Sequence, residues 1–599
     1  MSIDLTTLLR TELKAGRRTP TQEVERFLAQ SGEPTWASAW IHRFDAEQLR
    51  QRARALEEMV RADPRAIERL PLYGVLFAAK DNIDAAGVPT TAACPAFAYR
   101  PRRSAAAIER LEAAGAILTG KTNLDQFATG LVGTRSPYGP VSNAFDPAYI
   151  SGGSSSGSAV AVARGWVSFS LGTDTAGSGR VPAGLNNIVG LKPSRGLVSA
   201  RGVVPACQSI DCVSVFALTV PDAVAVFDVL RGFDAEDPWS RRLPLAPDTC
   251  PARFRFAIPD RLEFYGDEAA RTAYRKALAL LETLGGSPVE IDFAPLLEAA
   301  SLLYEGPWVA ERMAAIRAFA EAHADQMNEV VRNIIGGSAK YTAVQVYQAI
   351  NRLEALKKAA VSLWERADAL VVPTTPTAYR IDEVLAEPYD TNRRLGYYTN
   401  FVNLLDMAAL AVPVSMRPDG LPSGVTLIGR AGSDLALADL GQRIHQASGL
   451  TLGAAGAAMP APQPLGGRGD MVDVAVVGAH LSGQPLNYQL TERGGSLVRS
   501  ACTAPRYRLF ALANSTPPKP GLVRESQGHA IELEVWRLPA AAYGSFVALI
   551  RSPLGIGSIE LEDGTWVQGF LGESWAVQGA EEISRFGGWR AWLGSRAGK

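Results

Sequence analysis

The sequence predicts an α/β protein whose large first domain is followed by a smaller, β-rich α+β domain. In residues 70–230, short apolar runs typical of buried strands alternate with helical segments such as 104–114. Residues 1–60 have the periodicity of amphipathic helices, with Ser2 and Thr21 as candidate N-caps. A chain of 599 residues also exceeds the length that one hydrophobic core usually organises, so at least two domains are expected.

A change in composition separates the two predicted domains. Residues 452–470 are dominated by Ala, Gly and Pro, which build no core, and are predicted to be a linker. We therefore expect the first domain at residues 1–451 and the second at residues 471–599. Strand-like runs with turn residues between them predict a small barrel-like second domain, and these runs occupy residues 471–480, 506–513, 530–538, 546–552 and 558–571.

The composition is that of an ordinary soluble globular protein. Hydrophobic residues make up 47% and charged residues 20% of the chain, and the net charge of −1 favours neither nucleic acid nor a membrane surface as a partner. The five cysteines are scattered, and Cys207 and Cys212, the only close pair, match no usual zinc spacing. No signal-peptide pattern follows Met1, and no apolar run reaches membrane-spanning length. We therefore expect a cytoplasmic protein with reduced thiols and no metal centre.

Three segments carry residues suited to nucleophilic catalysis by serine. Lys80 closes the apolar run at 73–79, a Gly-Gly-Ser-Ser-Ser-Gly loop spans 152–157, and Gly-Thr-Asp-Thr-Ala-Gly-Ser spans 172–178. A serine hydroxyl needs a base, and lysine is a base only when burial keeps it neutral. Taken alone, Lys80 favours a surface position, and the loop could be a flexible linker or a phosphate loop. The apolar helical run at 159–164 and the lack of a Gly-Lys-Ser/Thr ending favour a positioned catalytic loop.

Together these segments resemble the amidase signature family, over roughly residues 20–450. The resemblance implies the amidase signature fold, in which helices flank a large mixed β-sheet. It implies a triad in which Lys80 is the base, Ser154 relays the proton and Ser178 is the nucleophile. It also implies an oxyanion hole formed by the backbone amides of Thr175, Ala176, Gly177 and Ser178.

The sequence departs from the usual family pattern at two positions. Ala176 stands where glycine is usual, and Ser156 replaces the third glycine of the Gly-Gly-Ser-Ser-Gly-Gly pattern. A Cβ beside the oxyanion hole narrows the available space. We interpret this departure as an indication of a small substrate.

A second resemblance is to the allophanate hydrolases, which join an amidase domain to a C-terminal domain of the γ-glutamylcyclotransferase-like type. The resemblance rests on three segments, residues 121–139, 303–312 and 476–487. It implies that Tyr304 and Arg312 bind a small anionic substrate, allophanate, and that His480 helps to decarboxylate the product. It further implies a homodimer in urea or s-triazine nitrogen metabolism, with urea carboxylase or s-triazine-degrading hydrolases as pathway partners. This chemistry requires neither a metal nor an organic cofactor.

The positions of Tyr304 and Arg312 raise a geometric question. On one ideal helix, eight residues correspond to a rise of about 12 Å, too far for both side chains to meet at one level. Pro307 lies between them and is expected to bend a helix or begin a new one. The alternative for Arg312 is an exposed helical arginine paired with Glu311 or Asp325.

Alternatives also remain for the second domain and for the activity. His480 is almost as well explained as a structural histidine that bonds its own turn, which would make the domain an assembly or solubility module. The substrate could instead be another small amide, such as a malonamate, a biuret-like compound or an aryl amide. A third hypothesis is an amidotransferase-like subunit that supplies ammonia to a partner.

Overall fold

A computed structural model describes residues 6–30, 32–33, 36–243, 249–462, 465, 471–493, 495–512 and 515–597. Within these ranges the chain divides into two compact units, of which the first reaches residue 465 and the second begins at Met471. The candidate cap Ser2 and residues 463–464 and 466–470 of the predicted linker lie outside the described residues.

The first unit is built on one large mixed β-sheet. Among its described residues, eleven strands pair in the order β1-β3-β2-β4-β6-β5-β10-β11-β9-β7-β8. The strands are β1 (Trp40–Arg43), β2 (Leu76–Lys80), β3 (Ile117–Thr122), β4 (Phe169–Asp174), β5 (Val189–Lys192), β6 (Cys212–Ala217), β7 (Phe254–Pro259), β8 (Gly286–Ile291), β9 (Ala369–Pro373), β10 (Met407–Met416) and β11 (Pro422–Arg430). β2 runs parallel to both β3 and β4, whereas β6 runs antiparallel to β4 and β5. The predicted α/β class with a large mixed sheet is confirmed.

Helices pack against this sheet, for example α8 on β6 and α18 on β10. The helices of the first unit are α1 (Thr6–Lys14), α2 (Pro20–Leu28), α3 (Trp36–Ala39), α4 (Ala46–Ala62), α5 (Ala106–Ala113), α6 (Ser156–Ala163), α7 (Val181–Leu185), α8 (Val220–Leu230), α9 (Glu268–Thr283), α10 (Ala294–Tyr304), α11 (Trp308–Ala322), α12 (Glu329–Gly336), α13 (Ala343–Val361), α14 (Leu363–Arg366), α15 (Ile381–Ala386), α16 (Asp390–Leu395), α17 (Phe401–Leu404) and α18 (Asp434–Ala447). Every residue of β2, β4 and β6 is buried, so these strands lack the alternation of buried and exposed residues that a sheet with one solvent face shows.

The N-terminal helices form as predicted, but the cap of α2 lies two residues earlier than expected. Thr19 Oγ1 accepts a hydrogen bond from the Gln22 backbone N–H at 3.2 Å, and Pro20 is the first helical residue. Proline is favoured at that position because its φ is already helical and its missing N–H costs nothing there. The prediction of Thr21 as the cap is therefore wrong, since Thr21 lies inside the first turn.

The second unit is β-rich, as predicted. Its described strands are β12 (Met471–Val476), β13 (Ser496–Cys502), β14 (Tyr507–Ala511), β15 (Pro520–Arg524), β16 (Glu532–Pro539), β17 (Leu554–Glu560), β18 (Trp566–Gly572) and β19 (Glu581–Glu582), with helices α19 (Tyr488–Thr491), α20 (Ala540–Val547) and α21 (Trp589–Ala597). Within the described ranges they form a five-stranded sheet in the order β13-β16-β12-β18-β17 and a three-stranded sheet in the order β15-β14-β19.

Two strand predictions in this unit need correction. The predicted strand at 546–552 is wrong, because α20 extends to Val547 and places Phe546 in the core. The run of alanines that begins α20 favours a helix, and the apolar residues after it suggested a strand only by composition. The predicted run at 558–571 is two strands, β17 and β18, joined by a turn in which Gly564 adopts a φ of +81°.

The first residues of the predicted linker are fixed to the first unit. Leu452 is completely buried, and Asn187 Nδ2 donates to the carbonyl oxygens of Thr451 at 2.8 Å and Gly453 at 3.1 Å. The N–H of Ala454 donates to the Ala163 carbonyl at 2.8 Å, and the N–H of Leu452 donates to the Ala457 carbonyl at the same distance. The packed part of the first domain therefore extends to residue 457, beyond the predicted boundary at 451.

Candidate active site

Lys80 is the last residue of β2 and is completely buried. β3 and β4 pair with β2 on its two sides, so Lys80 lies at the end of an inner strand and not at the edge of the sheet. Burial lowers the pKa of Lys80 to about 7, against the opposing effect of the Asp125, Asp211 and Asp174 carboxylates. A lysine with this pKa is a neutral amine in about half of the molecules at pH 7, and in more of them at higher pH.

Ser154 lies directly beside this amine. It precedes α6, and the peptide bond between Gly153 and Ser154 is cis. Lys80 Nζ lies 2.8 Å from Ser154 Oγ. A Cβ at position 153 would approach the Asp125 carboxylate to 2.1 Å, so the loop needs glycine immediately before the serine.

Ser178 completes a continuous chain of hydrogen bonds. Ser154 Oγ donates to Ser178 Oγ at 2.9 Å, and Ser178 is 3% exposed. A hydroxyl donates and accepts at once, so Ser154 can pass a proton from Ser178 to Lys80. The structure thus brings together the three residues that the sequence places 74 and 24 positions apart.

The turn that carries Ser178 has the form of an anion site. Within the described part of the chain, the N–H groups of Ala176, Gly177 and Ser178 donate to no other backbone carbonyl. Gly177 has a φ of +141°, and a Cβ there would lie 2.5 Å from Thr399 Oγ1. Thr175 donates its hydroxyl proton to the Asp211 carboxylate. Free amides in a buried turn stabilise the oxyanion of a tetrahedral intermediate.

Asp174 and Arg180 form a buried ion pair that closes this turn. Arg180 Nε and Nη2 each lie 2.9 Å from an oxygen of Asp174, and neither side chain is exposed. Burial by itself would raise the pKa of Asp174, but the adjacent Arg180 outweighs it and lowers that pKa. The pair joins the residues before and after the turn, so it holds the turn in one conformation.

Tyr304 and Arg312 meet because the helix is interrupted between them. α10 ends at Tyr304, Pro307 is the N-cap of α11, and Arg312 lies in the second turn of α11. Arg312 Nη2 donates to the Tyr304 hydroxyl at 3.3 Å, and Nη1 donates to Thr129 Oγ1 at 3.1 Å. The predicted effect of Pro307 is thus observed as a helix start.

Arg312 is a buried cation with spare hydrogen-bonding capacity. It is only 2% exposed, and its Nε has no hydrogen-bond partner in the described structure. Its hydrogen bonds do not go to Glu311 or Asp325, as an exposed helical arginine would require. The residue after Thr129 is Gly130, whose carbonyl lies 3.5 Å from Ser178 Oγ, so the guanidinium is linked through one short segment to the candidate nucleophile.

A cavity of about 680 Å³ lies against Tyr304. Its lining residues include the three cations Arg135, Lys340 and Arg393, the carboxylate Glu305, and Asn392. Asn392 Oδ1 accepts a hydrogen bond from the Leu131 N–H at 2.7 Å, which fixes the segment beside the candidate nucleophile. Its volume would admit a small substrate, but neither Ser178 nor Arg312 is among its lining residues, so Tyr304 is its contact with the candidate site.

His480 follows β12 and lines a separate cavity of about 210 Å³. Its Nε2 lies 3.0 Å from Gln489 Oε1, and Phe546 and Phe570 pack against the ring at 5.4 and 5.2 Å. Burial lowers the pKa of His480, so its ring is neutral at pH 7. Lys519 and Arg551 line the same cavity and make it suitable for an anion.

Comparison with known proteins assigns the family. The amidase family model matches residues 24–437, and the model of the allophanate hydrolase C-terminal domain matches residues 472–594. The chain belongs to the amidase signature family. It is therefore an amidohydrolase, and its second unit is the C-terminal domain named for the allophanate hydrolases.

Individual relatives of this amidase are similar over different parts of it. A solved structure of Kluyveromyces lactis allophanate hydrolase is 44% identical, covers 97% of this chain and 98% of that chain, and has a TM-score of 0.77. The Saccharomyces cerevisiae urea amidolyase is 44% identical over 93% of this chain but 31% of its own length, so the amidase spans about a third of that relative. A glutamyl-tRNA(Gln) amidotransferase subunit from Symbiobacterium thermophilum is 35% identical over 65% of this chain and 85% of its own.

Several residues of the amidase site were not predicted from the sequence. Asp174 and Arg180 lie within the Gly-Thr-Asp-Thr-Ala-Gly-Ser-Gly-Arg segment, and their opposite charges flanking a glycine turn were a usable signal. Thr173 Oγ1 lies 2.8 Å from Lys80 Nζ and also accepts from Asn82 Nδ2 at 3.3 Å. Asp211 had no local signal, because only the fold brings it to the turn.

Neither a metal cluster nor a membrane-spanning helix occurs in the described ranges of this amidase. No group of three or more His, Cys, Asp or Glu side chains there is placed to hold a metal ion. None of the described helices combines the length and the apolar character that crossing a bilayer requires.

Proposed function

We propose that this amidase hydrolyses allophanate by serine–serine–lysine chemistry. The observation that carries the proposal is the buried Arg312, which has an unpartnered Nε in the described structure and is joined through Thr129 and Gly130 to Ser178. A guanidinium recognises a carboxylate by parallel hydrogen bonds. Allophanate carries a carboxylate and a primary amide on one small planar skeleton. Tyr304 and Arg312 therefore hold the carboxylate, and the amide carbonyl faces Ser178.

Acylation begins at Ser178. When Lys80 is neutral, the two hydroxyls rotate so that Ser178 donates to Ser154 and Ser154 donates to Lys80, reversing the directions seen in the structure. As its oxygen attacks the amide carbonyl, Ser178 passes its proton to Ser154, which passes its own proton to Lys80. The carbonyl oxygen becomes an oxyanion, which accepts hydrogen bonds from the N–H groups of the turn at 175–178. The C–N bond then breaks, and the proton held by Lys80 returns through Ser154 to the departing ammonia.

Hydrolysis of the acyl-enzyme uses the same proton path, with water in the place of the Ser178 hydroxyl. Water attacks the ester carbonyl and gives its proton through Ser154 to Lys80, and that proton returns through Ser154 to the Ser178 oxygen as the C–O bond breaks. The product has two carboxylates on one nitrogen and loses carbon dioxide to release a second ammonia. These steps use side chains and backbone amides of the chain itself.

His480 is proposed to assist that decarboxylation. Its cavity contains a neutral imidazole together with the cations Lys519 and Arg551, a combination that suits a dicarboxylate. The cations can bind the carboxylates, and the imidazole can take up or deliver the proton on nitrogen. The alternative is a structural role, supported by the contacts of His480 with Gln489 and by the Asn487 amide that donates to its carbonyl at 2.8 Å.

The setting of the reaction is also a proposal. The similarity to urea amidolyases supports a place after urea carboxylation, and hydrolysis of s-triazines is the other source of allophanate that we consider. We further propose that the chain acts in the cytoplasm as a homodimer. Size-exclusion chromatography with light scattering tests the dimer.

A second candidate function is ammonia supply to a partner. The 35% identity to a subunit of a glutamyl-tRNA(Gln) amidotransferase supports it, whereas the attached C-terminal domain and the Tyr304–Arg312 pair favour independent hydrolysis. Amidases for other small amides, such as malonamate, remain closer alternatives because they share the same site chemistry.

One assay tests the proposal against both alternatives. The purified chain is expected to release ammonia from allophanate without any partner, and Ser178→Ala is expected to release none. Biuret is the matched control substrate, because it replaces the carboxylate with a neutral amide. Turnover of biuret or another neutral amide in preference to allophanate would overturn the proposed substrate, and activity only with a partner protein would favour ammonia supply.

A further inference from the structure

Asp211 ties the oxyanion turn to a neighbouring segment, residues 206–211. Its carboxylate accepts the hydroxyl proton of Thr175 and also the N–H groups of Ala206 at 2.8 Å and Cys207 at 3.2 Å. The carboxylate is thus shared between the first residue of the turn and the start of the segment. Burial raises the pKa of Asp211 to about 6, so at neutral pH it is ionised and accepts all of these hydrogen bonds.

The middle of the same segment is clamped to the helix that carries Arg312. Glu311 accepts two hydrogen bonds from Ser209, one from its backbone N–H at 2.7 Å and one from its hydroxyl at 2.8 Å. Glu311 immediately precedes Arg312 in α11, so this clamp fixes the helix at the position of the guanidinium. Cys207 Sγ also lies 3.7 Å from the Trp308 carbonyl at the start of the same helix.

The segment is rigidly held at its other contacts as well. Arg195 Nη1 donates to the Ser209 carbonyl at 2.8 Å, and Asn403 Nδ2 donates to the Ile210 carbonyl at 3.0 Å. Asn403 Nδ2 also donates to the carbonyl of Asp174 at 2.7 Å, next to the oxyanion turn. A displacement of α11 is therefore transmitted to the turn through hydrogen bonds rather than absorbed by a loose loop.

We propose that Asp211 and Glu311 are positioning residues, which use segment 206–211 to fix the distance between the oxyanion turn and Arg312. This inference rests on the proposed function, in which Arg312 holds the substrate carboxylate. The carboxylate of allophanate and its scissile carbonyl are a fixed distance apart, so the enzyme needs the two sites at a matching distance. Binding energy from the carboxylate then places the carbonyl oxygen at the turn, which raises kcat as well as affinity.

The test separates carboxylate binding from carbonyl placement. Ser209→Ala and Glu311→Gln weaken the clamp, and Asp211→Asn removes the charge that holds Thr175. We expect kcat for allophanate to fall by about 10- to 100-fold, the cost of a small misplacement of the reacting group. The inhibition constant of malonate, which reports carboxylate binding at Arg312, should change less than about threefold, roughly the scatter of neutral substitutions.

Biuret turnover distinguishes positioning from general damage. Biuret lacks the carboxylate, so its kcat in the wild type does not benefit from the fixed distance, and the clamp variants should lower it much less than they lower that of allophanate. Glu298→Gln, which removes an exposed ion pair on α10, is the matched control and should leave both substrates unaffected.

Two results would overturn the inference. Equal losses of kcat for allophanate and biuret would show that the segment has a structural role only. An unchanged kcat in Ser209→Ala and Glu311→Gln would show that the hydrogen bonds between Ser209 and Glu311 do not position the substrate. Ser209→Ala, a small truncation on an ordered segment, keeps the test valid if Asp211→Asn does not fold. A wild type that fails to hydrolyse allophanate would instead reject the proposed function.

Discussion

Arg312 donates to the hydroxyl of Tyr304 at 3.3 Å, although the two residues are eight positions apart and lie on different helices. The guanidinium carbon also lies 5.0 Å from the centre of the tyrosine ring. The helix start after Pro307 makes this approach possible. The pair places one rigid fork and one hydroxyl at the side of a buried site, a combination suited to a planar anion.

The first prediction concerns Arg312. Arg312→Lys keeps the charge but removes the planar fork, so we expect the KM for allophanate to rise by about 10- to 100-fold, the value of one lost charged hydrogen bond. The KM for biuret should change little. Arg317→Lys, on the exposed face of the same helix, is the matched control. A similar loss for both substrates would show that Arg312 supports the fold rather than the carboxylate.

The second prediction concerns the two serines. Ser178→Ala and Ser154→Ala are each expected to lower kcat by on the order of 10³-fold or more, because the first removes the nucleophile and the second interrupts the proton path. Only variants that keep Ser178 should give an acyl-enzyme by mass spectrometry. Ser158→Ala removes a buried hydroxyl that bonds Leu171 and Thr122, outside the triad, and should retain most activity. Near-normal turnover in folded Ser178→Ala would reject the assignment.

The third prediction concerns the pH dependence of activity. Lys80 must be neutral to accept a proton, and burial lowers its pKa to about 7. The activity should therefore rise with pH and level off above a midpoint near 7, as measured from kcat/KM across buffers of constant ionic strength. Lys80→Arg cannot become neutral in this range and should be as inactive as Lys80→Ala. Activity that is independent of pH between about 6 and about 8 would contradict Lys80 as the base.

The fourth prediction concerns stability. The pKa of Lys80 is about 7 in the folded state and 10.5 in its ordinary environment, so the unfolded chain binds more protons between these values. The contribution of Lys80 to the free energy of unfolding should rise with pH from about 7 to about 10.5. Lys80→Met removes this contribution, so its stabilising effect should be largest and constant at and below about pH 7 and should decrease progressively towards about pH 10. Denaturant unfolding at several pH values measures the difference, and a constant difference would contradict the lowered pKa.

The fifth prediction concerns His480. If it assists decarboxylation, His480→Ala should delay carbon dioxide release while the first ammonia appears at the wild-type rate, as followed by stopped-flow measurement. A truncation after residue 462 should behave in the same way, because it retains the triad and the packed residues 452–457. His529→Ala, on the same domain but away from the cavity lining, is the control. If carbon dioxide and the first ammonia appeared with the same timing in every variant, His480 would have a structural role only.

The parts of the fold that sequence could predict are those set by local pattern. A buried strand such as β2 is recognisable as a mostly apolar run, and the glycine- and serine-rich segments mark where the chain must turn tightly. The roles of Lys80, Ser154 and Ser178 are predicted from the resemblance of these segments to the amidase signature, because local pattern alone also fits a surface lysine and a flexible loop. Their mutual distances could not be predicted, since they depend on the parallel pairing of β2 with β4.

The parts that sequence could not predict depend on contacts between distant segments. Asp211 and Thr175 are 36 residues apart and meet only because β4 and β6 are neighbours. The sequence predicts a strand at 546–552, across the end of α20, because Phe546 and its neighbours are apolar in either conformation and only the core that Phe546 enters decides between the two. Thr19 and Thr21 carry the same hydroxyl, and the signal in the sequence that distinguishes them is Pro20, which is favoured as the first helical residue and so makes Thr19 the cap.

The burial of Lys80 between β3 and β4 makes the sheet itself part of the catalytic base. Solvent that entered at this strand end would restore the ordinary basicity of the amine and leave it protonated at neutral pH. The same apolar packing that stabilises the fold therefore sets the fraction of enzyme molecules able to react. Activity and tight packing of the core are therefore coupled in this protein. A core substitution that leaves every triad residue in place can still abolish activity if it admits water to Lys80.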